Sequence, residues 1–365
     1  MIRTLSLAAA LLLAVPACAQ RHETTSERTH IVQEHNGHRL EVRLRGDVDF
    51  NDDGNWVQRV SPGGSLMVEE RSRGTTRRVD FSPGQGGRVD VRYQVDGRAR
   101  QMDARGREWA SAAILQAVRG SGLGARERVA HLRQRGGVPA VLNEVGQMRG
   151  DGARRAYYQA LFAGQPLSPA EMSRVMADVD RRMDSDSERR IVLAHAMEHA
   201  RGEGAMRAIL DAAGGMDSDM ETRIVLHHAL DRGRLPAGAQ QAFFSAVDGM
   251  GSDMERRIVL TRWLERGGTA EAAFFRALDS MDSDMERRIV LTQALRGSPS
   301  EASTVAALHS AARMDSDMEK RIVLSQVPAA QLRNGRVTAA YRAVVDRMDS
   351  DHERAIALQR LARGN

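Results

Sequence analysis

The sequence of 365 residues contains little cysteine, lysine or aromatic side chain. Its single cysteine is Cys18, so no disulfide can form within the chain and its stability has to come from packing. Lys320 is the only lysine, and aromatic residues make up 4% of the chain. Helices packed through Ala, Leu, Val, Ile and Met need few aromatic residues, so this composition is compatible with a helical array.

The chain also lacks a strong excess of charge of one sign. Its 53 basic and 48 acidic residues leave a net charge of +5, and no run of arginines alternates with aromatic residues. This pattern argues against a nucleic-acid partner, which requires a concentrated basic surface. The length is sufficient for two domains, or for a small domain followed by an elongated array.

Residues 1–19 have the features of a secretory signal peptide. Arg3 precedes an apolar core, and an A-x-A cleavage pattern ends at Ala19. The apolar run is too short to span a bilayer. The residues up to Cys18 are also similar to a bacterial lipobox, in which Cys18 would be lipidated. Both alternatives predict a periplasmic or secreted protein, with a lipid anchor as its only attachment to the membrane.

Residues 20–28 are polar and predict a tether, and residues 29–106 predict a small antiparallel β domain. Apolar and polar residues alternate in segments such as Arg39–Arg45 and Arg88–Val95, as in strands with one buried face. Asp96-Gly97 predicts a tight hairpin turn between two strands.

Residues 107–365 contain an internal repeat. Six clear copies of a Met-Asp-Ser-Asp-Met-Glu-Arg-Arg-type stretch begin 31 to 34 residues apart, at Met183, Met216, Met250, Met281, Met314 and Met348. A period of this size is typical of arrays of small supersecondary units, each of which buries its apolar face against its neighbours. The sequence therefore predicts an α+β protein, in which a right-handed α-α solenoid of about six to eight helical hairpins of ~33 residues follows the β domain.

Each copy has the residues of a helix start. In the copy at Met281, Ser283 and Glu286 have the spacing of a capping box, in which the glutamate reaches back to the serine N–H. Arg287 and Arg288 are expected on the solvent side, and Gly297 is expected to end the segment. The methionine that begins each copy is interpreted as a packing residue between helices.

His195, Glu198 and His199 match H-x-x-E-H, a spacing found in zinc enzymes. The internal repeats favour a simpler interpretation, because other copies carry different polar residues at the position of His195. This position predicts a polar edge that binds a partner, formed by His195, His228, Arg262, Gln293 and Gln326.

Calcium binding is an alternative interpretation of two acidic segments. The alternating carboxylates of Asp184, Asp186 and Glu188 lack the glycine and the distant glutamate of an EF-hand, so helix capping is favoured. The acidic loop Asn51–Asn55 is interpreted as a turn rather than a metal site.

The repeats resemble HEAT-type or tetratricopeptide-type helical hairpins, although the tetratricopeptide signature is absent. The segments Ser61–Glu70 and Tyr93–Gly97, together with the Ser-Asp-x-Glu-Arg-Arg units, resemble uncharacterised bacterial envelope proteins in which a short β segment precedes helical repeats. The resemblance covers most of residues 60–365. It implies an envelope location and a signalling context, and it supplies no catalytic residues.

We therefore expect a non-enzymatic scaffold, without a cofactor, that binds a protein or peptide partner in the bacterial envelope. One alternative is a zinc-dependent hydrolase that uses His195, Glu198 and His199. The other alternative is a structural, lipid-anchored spacer of the envelope.

Overall fold

The computed structural model describes residues 19–25, 28–296 and 298–364. Cys18, the preceding signal segment and Gly297 lie outside the described residues. Within them, an antiparallel sheet is followed by fifteen α-helices, which confirms the predicted order of a β region and a helical array. The chain divides into two compact units between Tyr157 and Tyr158, inside the third helix. The predicted change from β domain to helical repeats at residues 106–107 is a different boundary and stays a prediction.

The N-terminal unit contains nine described strands. These strands are β1 (Ala19–Thr25), β2 (Arg28–His35), β3 (His38–Arg45), β4 (Val48–Phe50), β5 (Val57–Val60), β6 (Ser65–Ser72), β7 (Thr75–Pro83), β8 (Val89–Val95) and β9 (Arg98–Arg100). Seven of them form one sheet in the order β1-β2-β3-β6-β7-β8-β9, which is antiparallel throughout, and β4 and β5 form a separate antiparallel pair.

The expected tether at residues 20–28 is not an unpaired segment in the structure. Strand β1 occupies most of it, and its backbone pairs with β2 from Ala19↔Glu34 to Thr25↔Arg28. This strand could not be predicted from the sequence because the segment is polar and has no apolar alternation. A polar segment can still pair through its backbone at the edge of a sheet.

Tight turns set the register of the meander. Asp96 and Gly97 both have positive φ, at 50° and 75°, between the paired strands β8 and β9, which confirms the predicted hairpin. Such a turn follows the twist of the strands that it joins. The apolar face of the sheet, with Val68 and Phe81, packs against Trp109 and Ile114 of the first helix.

The helices of the N-terminal unit are α1 (Ala104–Ser121) and α2 (Ala125–Val145), and α3 (Asp151–Ala163) contains the division between the units. The C-terminal unit continues with α4 (Pro169–Arg182), α5 (Asp186–His199), α6 (Glu203–Ala213), α7 (Asp219–Asp231), α8 (Ala237–Gly249), α9 (Asp253–Glu265), α10 (Ala272–Asp279), α11 (Asp284–Ala294), α12 (Glu301–Ala311), α13 (Asp317–Ser325), α14 (Gly335–Val345) and α15 (Asp351–Gly364).

The helices of the C-terminal unit form two layers. Each odd-numbered helix from α5 to α13 contacts the next odd-numbered helix, and each even-numbered helix from α4 to α12 contacts the next even-numbered one. Every repeated stretch begins an odd-numbered helix. The methionine that begins each copy is buried, in agreement with its interpretation as a packing residue.

The serine of each copy caps a helix, as predicted. Ser283 Oγ accepts a hydrogen bond from the backbone N–H of Glu286 at 3.4 Å, and the equivalent serines do the same at the starts of α5, α7, α9, α13 and α15. The reciprocal half of the predicted capping box is wrong. The N–H of Ser283 instead donates to the carboxylate of Asp253 in the preceding copy, at 2.7 Å.

The prediction that both arginines face solvent is also wrong. Arg287 is 7% exposed and donates to the backbone carbonyl of Met281. Arg288 is half-buried and forms an ion pair with Glu319, the equivalent of Glu286 in the following copy. The same charge pair recurs between successive copies, at Arg190–Glu221, Arg223–Glu255, Arg257–Glu286 and Arg321–Glu353.

Candidate binding face of the helical array

The predicted polar edge lies at equivalent positions in one layer of helices. His195, His228, Arg262 and Gln293 belong to α5, α7, α9 and α11, and Gln326 caps the C-terminal end of α13. All five side chains are half-buried. Because these helices contact each other in sequence, the five residues form a row across the layer.

Charged contacts between repeats hold part of this row. The guanidinium of Arg262 is 2.6 Å from the carboxylate of Asp231 in the preceding repeat, and Arg266 donates to the backbone oxygen of Asp231 at 3.0 Å. The hydrogen bond from Arg262 lowers the pKa of Asp231, so this carboxyl stays ionised at neutral pH. Arg262 is therefore fixed by its own array before any partner binds.

A shallow depression lies beside Arg262, between α7 and α9. Its volume is about 300 Å³, and it is lined by His227, Arg257, Ile258, Thr261, Arg262 and Glu265. Burial, reinforced by the positive charge of Arg223, lowers the pKa of His227, so its imidazole is neutral at neutral pH. Thr261 Oγ1 and His228 Nε2 are buried atoms without a protein hydrogen-bond partner among the described residues. This part of the row thus contains two polar atoms whose hydrogen-bonding capacity the described residues leave unused.

Four methionines that the sequence analysis did not consider form an exposed row on the same helices. Met220, Met254, Met285 and Met318 are each 50–51% exposed, and each lies four residues after the buried methionine of its copy. They make up most of the large apolar side chains that are exposed in the described part of the chain. Their recurrence in four successive copies was the sequence signal that would have identified them.

A second apolar row lies one helical turn further along. Ile224, Ile258, Ile289 and Ile322 are half-buried, and each lies four residues after one of the exposed methionines. Residues four apart are neighbours on one side of a helix. We call the surface formed by these four methionines and four isoleucines the ladder face.

The ladder face has an acidic border at the helix starts. Asp217, Asp282 and Asp315 directly precede the capping serines of α7, α11 and α13, and all three are exposed. Further along the helices, the positive and negative charges largely cancel within the arginine–glutamate ion pairs between copies. A ligand on this face therefore meets apolar side chains with negative charge at one edge.

The acidic stretches interpreted as caps and turns have such structural roles. Asp186 accepts a hydrogen bond from the N–H of Ser218 at 2.7 Å. Glu221, which occupies in the next copy the position of Glu188, forms an ion pair with Arg190. In the loop at residues 51–55, the side-chain oxygen of Asn51 accepts from the backbone N–H groups of Asn55 and Trp56, both at 2.9 Å. These bonds form a side-chain-stabilised turn.

The structure brings His195, Glu198 and His199 together at the end of α5. His195 Nδ1 is 3.3 Å from a carboxylate oxygen of Glu198, and the centroids of the two imidazole rings are 4.9 Å apart. One potential ligand atom from each residue lies within 4.8 Å of the others. This cluster is distinct from the ladder face, whose exposed methionines begin on α7.

Comparison of the chain with protein-family models, with curated proteins and with solved structures finds no match. Within the described residues, every helix is too short or too polar to cross a membrane.

Proposed function

We propose that the protein is a non-enzymatic scaffold that binds a protein or peptide partner along its helical array. The array would be a right-handed α-α solenoid of six to eight HEAT-like hairpins, similar to the repeats of bacterial envelope proteins. Solenoids of this kind offer extended surfaces to their ligands, because each repeat adds an equivalent strip of side chains.

The observation that carries the proposal is the exposed row of Met220, Met254, Met285 and Met318. A folded protein stabilises itself by burying such side chains, so a regular row left half exposed is typical of an interaction site. Methionine is flexible and polarisable, and it adapts to irregular apolar surfaces. Burial of the ladder face by a partner would complete the apolar contacts that the array leaves open.

The spacing of the row favours an extended partner. Packed helices lie about 8–10 Å apart, so successive methionines are separated by about that distance. In a polyproline II segment, every third residue faces the same way at intervals of about 9 Å. We propose that the partner presents an extended segment with apolar side chains at every third position. Lysine or arginine in the segment would complement the acidic border at Asp217, Asp282 and Asp315.

The polar row would select among such partners. Thr261 and His228 offer polar atoms that lack protein partners, and the depression beside them accepts a small side chain. His195, Arg262, Gln293 and Gln326 extend the same row across the layer. Hydrogen bonds to Thr261 and His228 would add specificity to the apolar contact, because a mismatched ligand would leave these atoms unpaired.

We further propose that the scaffold acts in the bacterial envelope, in a sensing or regulatory context. This part of the proposal is supported by the signal-like N-terminus, with either cleavage at Ala19 or lipidation at Cys18. A structural spacer would share this location, but it would not require an exposed apolar row.

Site-specific photo-cross-linking in cells tests the binding function. A photoreactive residue replaces Met254 on the ladder face, and the matched control replaces Gln241, an exposed residue on α8 in the other layer. We expect Met254 to capture one dominant protein that Gln241 does not. Equal capture from the two positions, or capture from neither, would contradict the proposed face.

A further inference from the structure

We propose that the last turn of α5 binds a divalent transition-metal ion through His195, Glu198 and His199. This inference goes beyond the scaffold function and does not depend on it. His195 also belongs to the polar row, but Glu198 and His199 belong neither to that row nor to the ladder face. It is a proposal for a binding site and assigns no hydrolytic activity.

The helix itself prearranges the three ligands. His195 and His199 are one turn apart on the same side of α5, and their rings are 4.9 Å apart between centroids. Glu198 already approaches His195 Nδ1 at 3.3 Å. Zinc lies about 2.0–2.2 Å from imidazole nitrogen and carboxylate oxygen, so ligand atoms within 4.8 Å of one another need only small side-chain rotations to meet one ion.

The ligand types select the class of metal. Imidazole groups favour Zn²⁺, Cu²⁺ and Ni²⁺, whereas Mg²⁺ and Ca²⁺ prefer sites made entirely of oxygen ligands. The carboxylate of Glu198 offsets part of the charge of the ion, and the C-terminal end of a helix favours a cation. Three protein ligands leave a coordination position for water or for a group from a partner.

The repeat at α9 carries positive charge at these two positions, whereas α11 and α13 have Gln293 and Gln326 at the position of His195. The residues equivalent to His195 and His199 in α9 are Arg262 and Arg266, and both contact Asp231 in the preceding repeat. In α5, two imidazoles replace these two guanidinium groups beside a carboxylate of the same helix. A bound dication would supply at α5 the positive charge that arginines supply at α9.

The test is a titration of the purified chain, without a histidine tag, with Zn²⁺ in an isothermal titration calorimeter. The cluster variant is H195Q/H199Q, and the matched control is H309Q, which removes an exposed histidine on α12. We expect one tight Zn²⁺ site in the native chain and in H309Q. We expect H195Q/H199Q to lose this site, and E198Q to bind about 10- to 100-fold more weakly.

A second readout separates binding at the cluster from a loss of structure. Zn²⁺ should raise the melting temperature of the native chain and of H309Q, because a ligand of the folded state stabilises it. It should leave that of H195Q/H199Q unchanged, while circular dichroism shows native helix content. Tight binding that survives in H195Q/H199Q, or Mg²⁺ that competes equally with Zn²⁺, would overturn the proposal.

Discussion

The carboxylate of Asp253 accepts hydrogen bonds from the backbone N–H groups of both Asp282 and Ser283 in the next repeat, at 2.8 and 2.7 Å. Asp284 and Asp317 make the same pair of bonds to the copies that follow them. In each of the five copies that another copy follows, the aspartate after the capping serine thus joins one helix start to the next. The repeated motif encodes the stacking of the array as well as the start of each helix.

Replacement of Asp253 by Ala is expected to destabilise the array. Two backbone donors of the next repeat would lose a charged acceptor, which costs about 1–3 kcal/mol. Urea unfolding followed by circular dichroism measures the loss. The control is Asp282→Ala, which removes an exposed carboxylate in the same motif and should change the free energy of unfolding by less than about 0.5 kcal/mol. Equal effects of the two substitutions would argue against a stabilising role for the hydrogen bonds between Asp253 and the next repeat.

The cap of α11 gives a second prediction. Ser283→Ala removes the side-chain acceptor for the Glu286 N–H and should reduce the free energy of unfolding by about 1 kcal/mol. The matched control is Ser245→Ala, at an exposed position within α8, for which we expect little change. Native-state hydrogen exchange can localise the effect to the first turn of α11. Unchanged exchange there would show that this cap contributes nothing.

Arg287 is expected to tolerate lysine better than alanine. In the next copy Lys320 occupies the equivalent position, where its Nζ contacts Asp317 at 3.0 Å and donates to the carbonyl of Arg347 at 2.9 Å. Arg287→Ala leaves the buried Met281 carbonyl and the nearby Asp284 without their cation, at a cost of about 3 kcal/mol. The native chain and Arg287→Lys should therefore have higher melting temperatures in thermal unfolding than Arg287→Ala. A reversed order of the two variants would contradict this role of the cation.

The sequence predicted the helical period, the buried first methionine and the serine caps, because these depend on local spacing. It could not predict which of two adjacent arginines is buried. Arg287 and Arg288 are alike in chemistry, and only the position of the neighbouring repeat decides that one contacts a carbonyl and the other Glu319. The exposure of Met285 was also missed, since helical spacing alone assigns an apolar residue to the core as readily as to a binding face.

Glu144 makes the N-terminal unit sensitive to acid. Burial raises its pKa, but hydrogen bonds from Arg119 and Arg128, at 2.8 and 2.9 Å, outweigh burial and hold it below the ordinary value of 4.5. Because the folded-state pKa is depressed, the ionised form contributes stability above pH 4.5, and this contribution is lost as the pH falls through the folded-state pKa.

Glu144→Gln should therefore lower the melting temperature at pH 7 and flatten its fall below pH 4.5. Glu108→Gln is the matched control, because Glu108 is an exposed glutamate on α1. Melting temperatures measured from pH 7 to pH 3 compare the variants. The same acid dependence in Glu144→Gln as in the native chain would show that another group is responsible.

The ladder face is tested most directly by replacing Met220, Met254, Met285 and Met318 with serine together. Each side chain has about half of its surface left to bury, worth on the order of 1 kcal/mol on binding. We expect the affinity for the cross-linked partner, measured by calorimetry, to fall more than about tenfold while the melting temperature stays near that of the native chain. Native affinity in a folded quadruple variant would contradict the central claim that this face binds the partner.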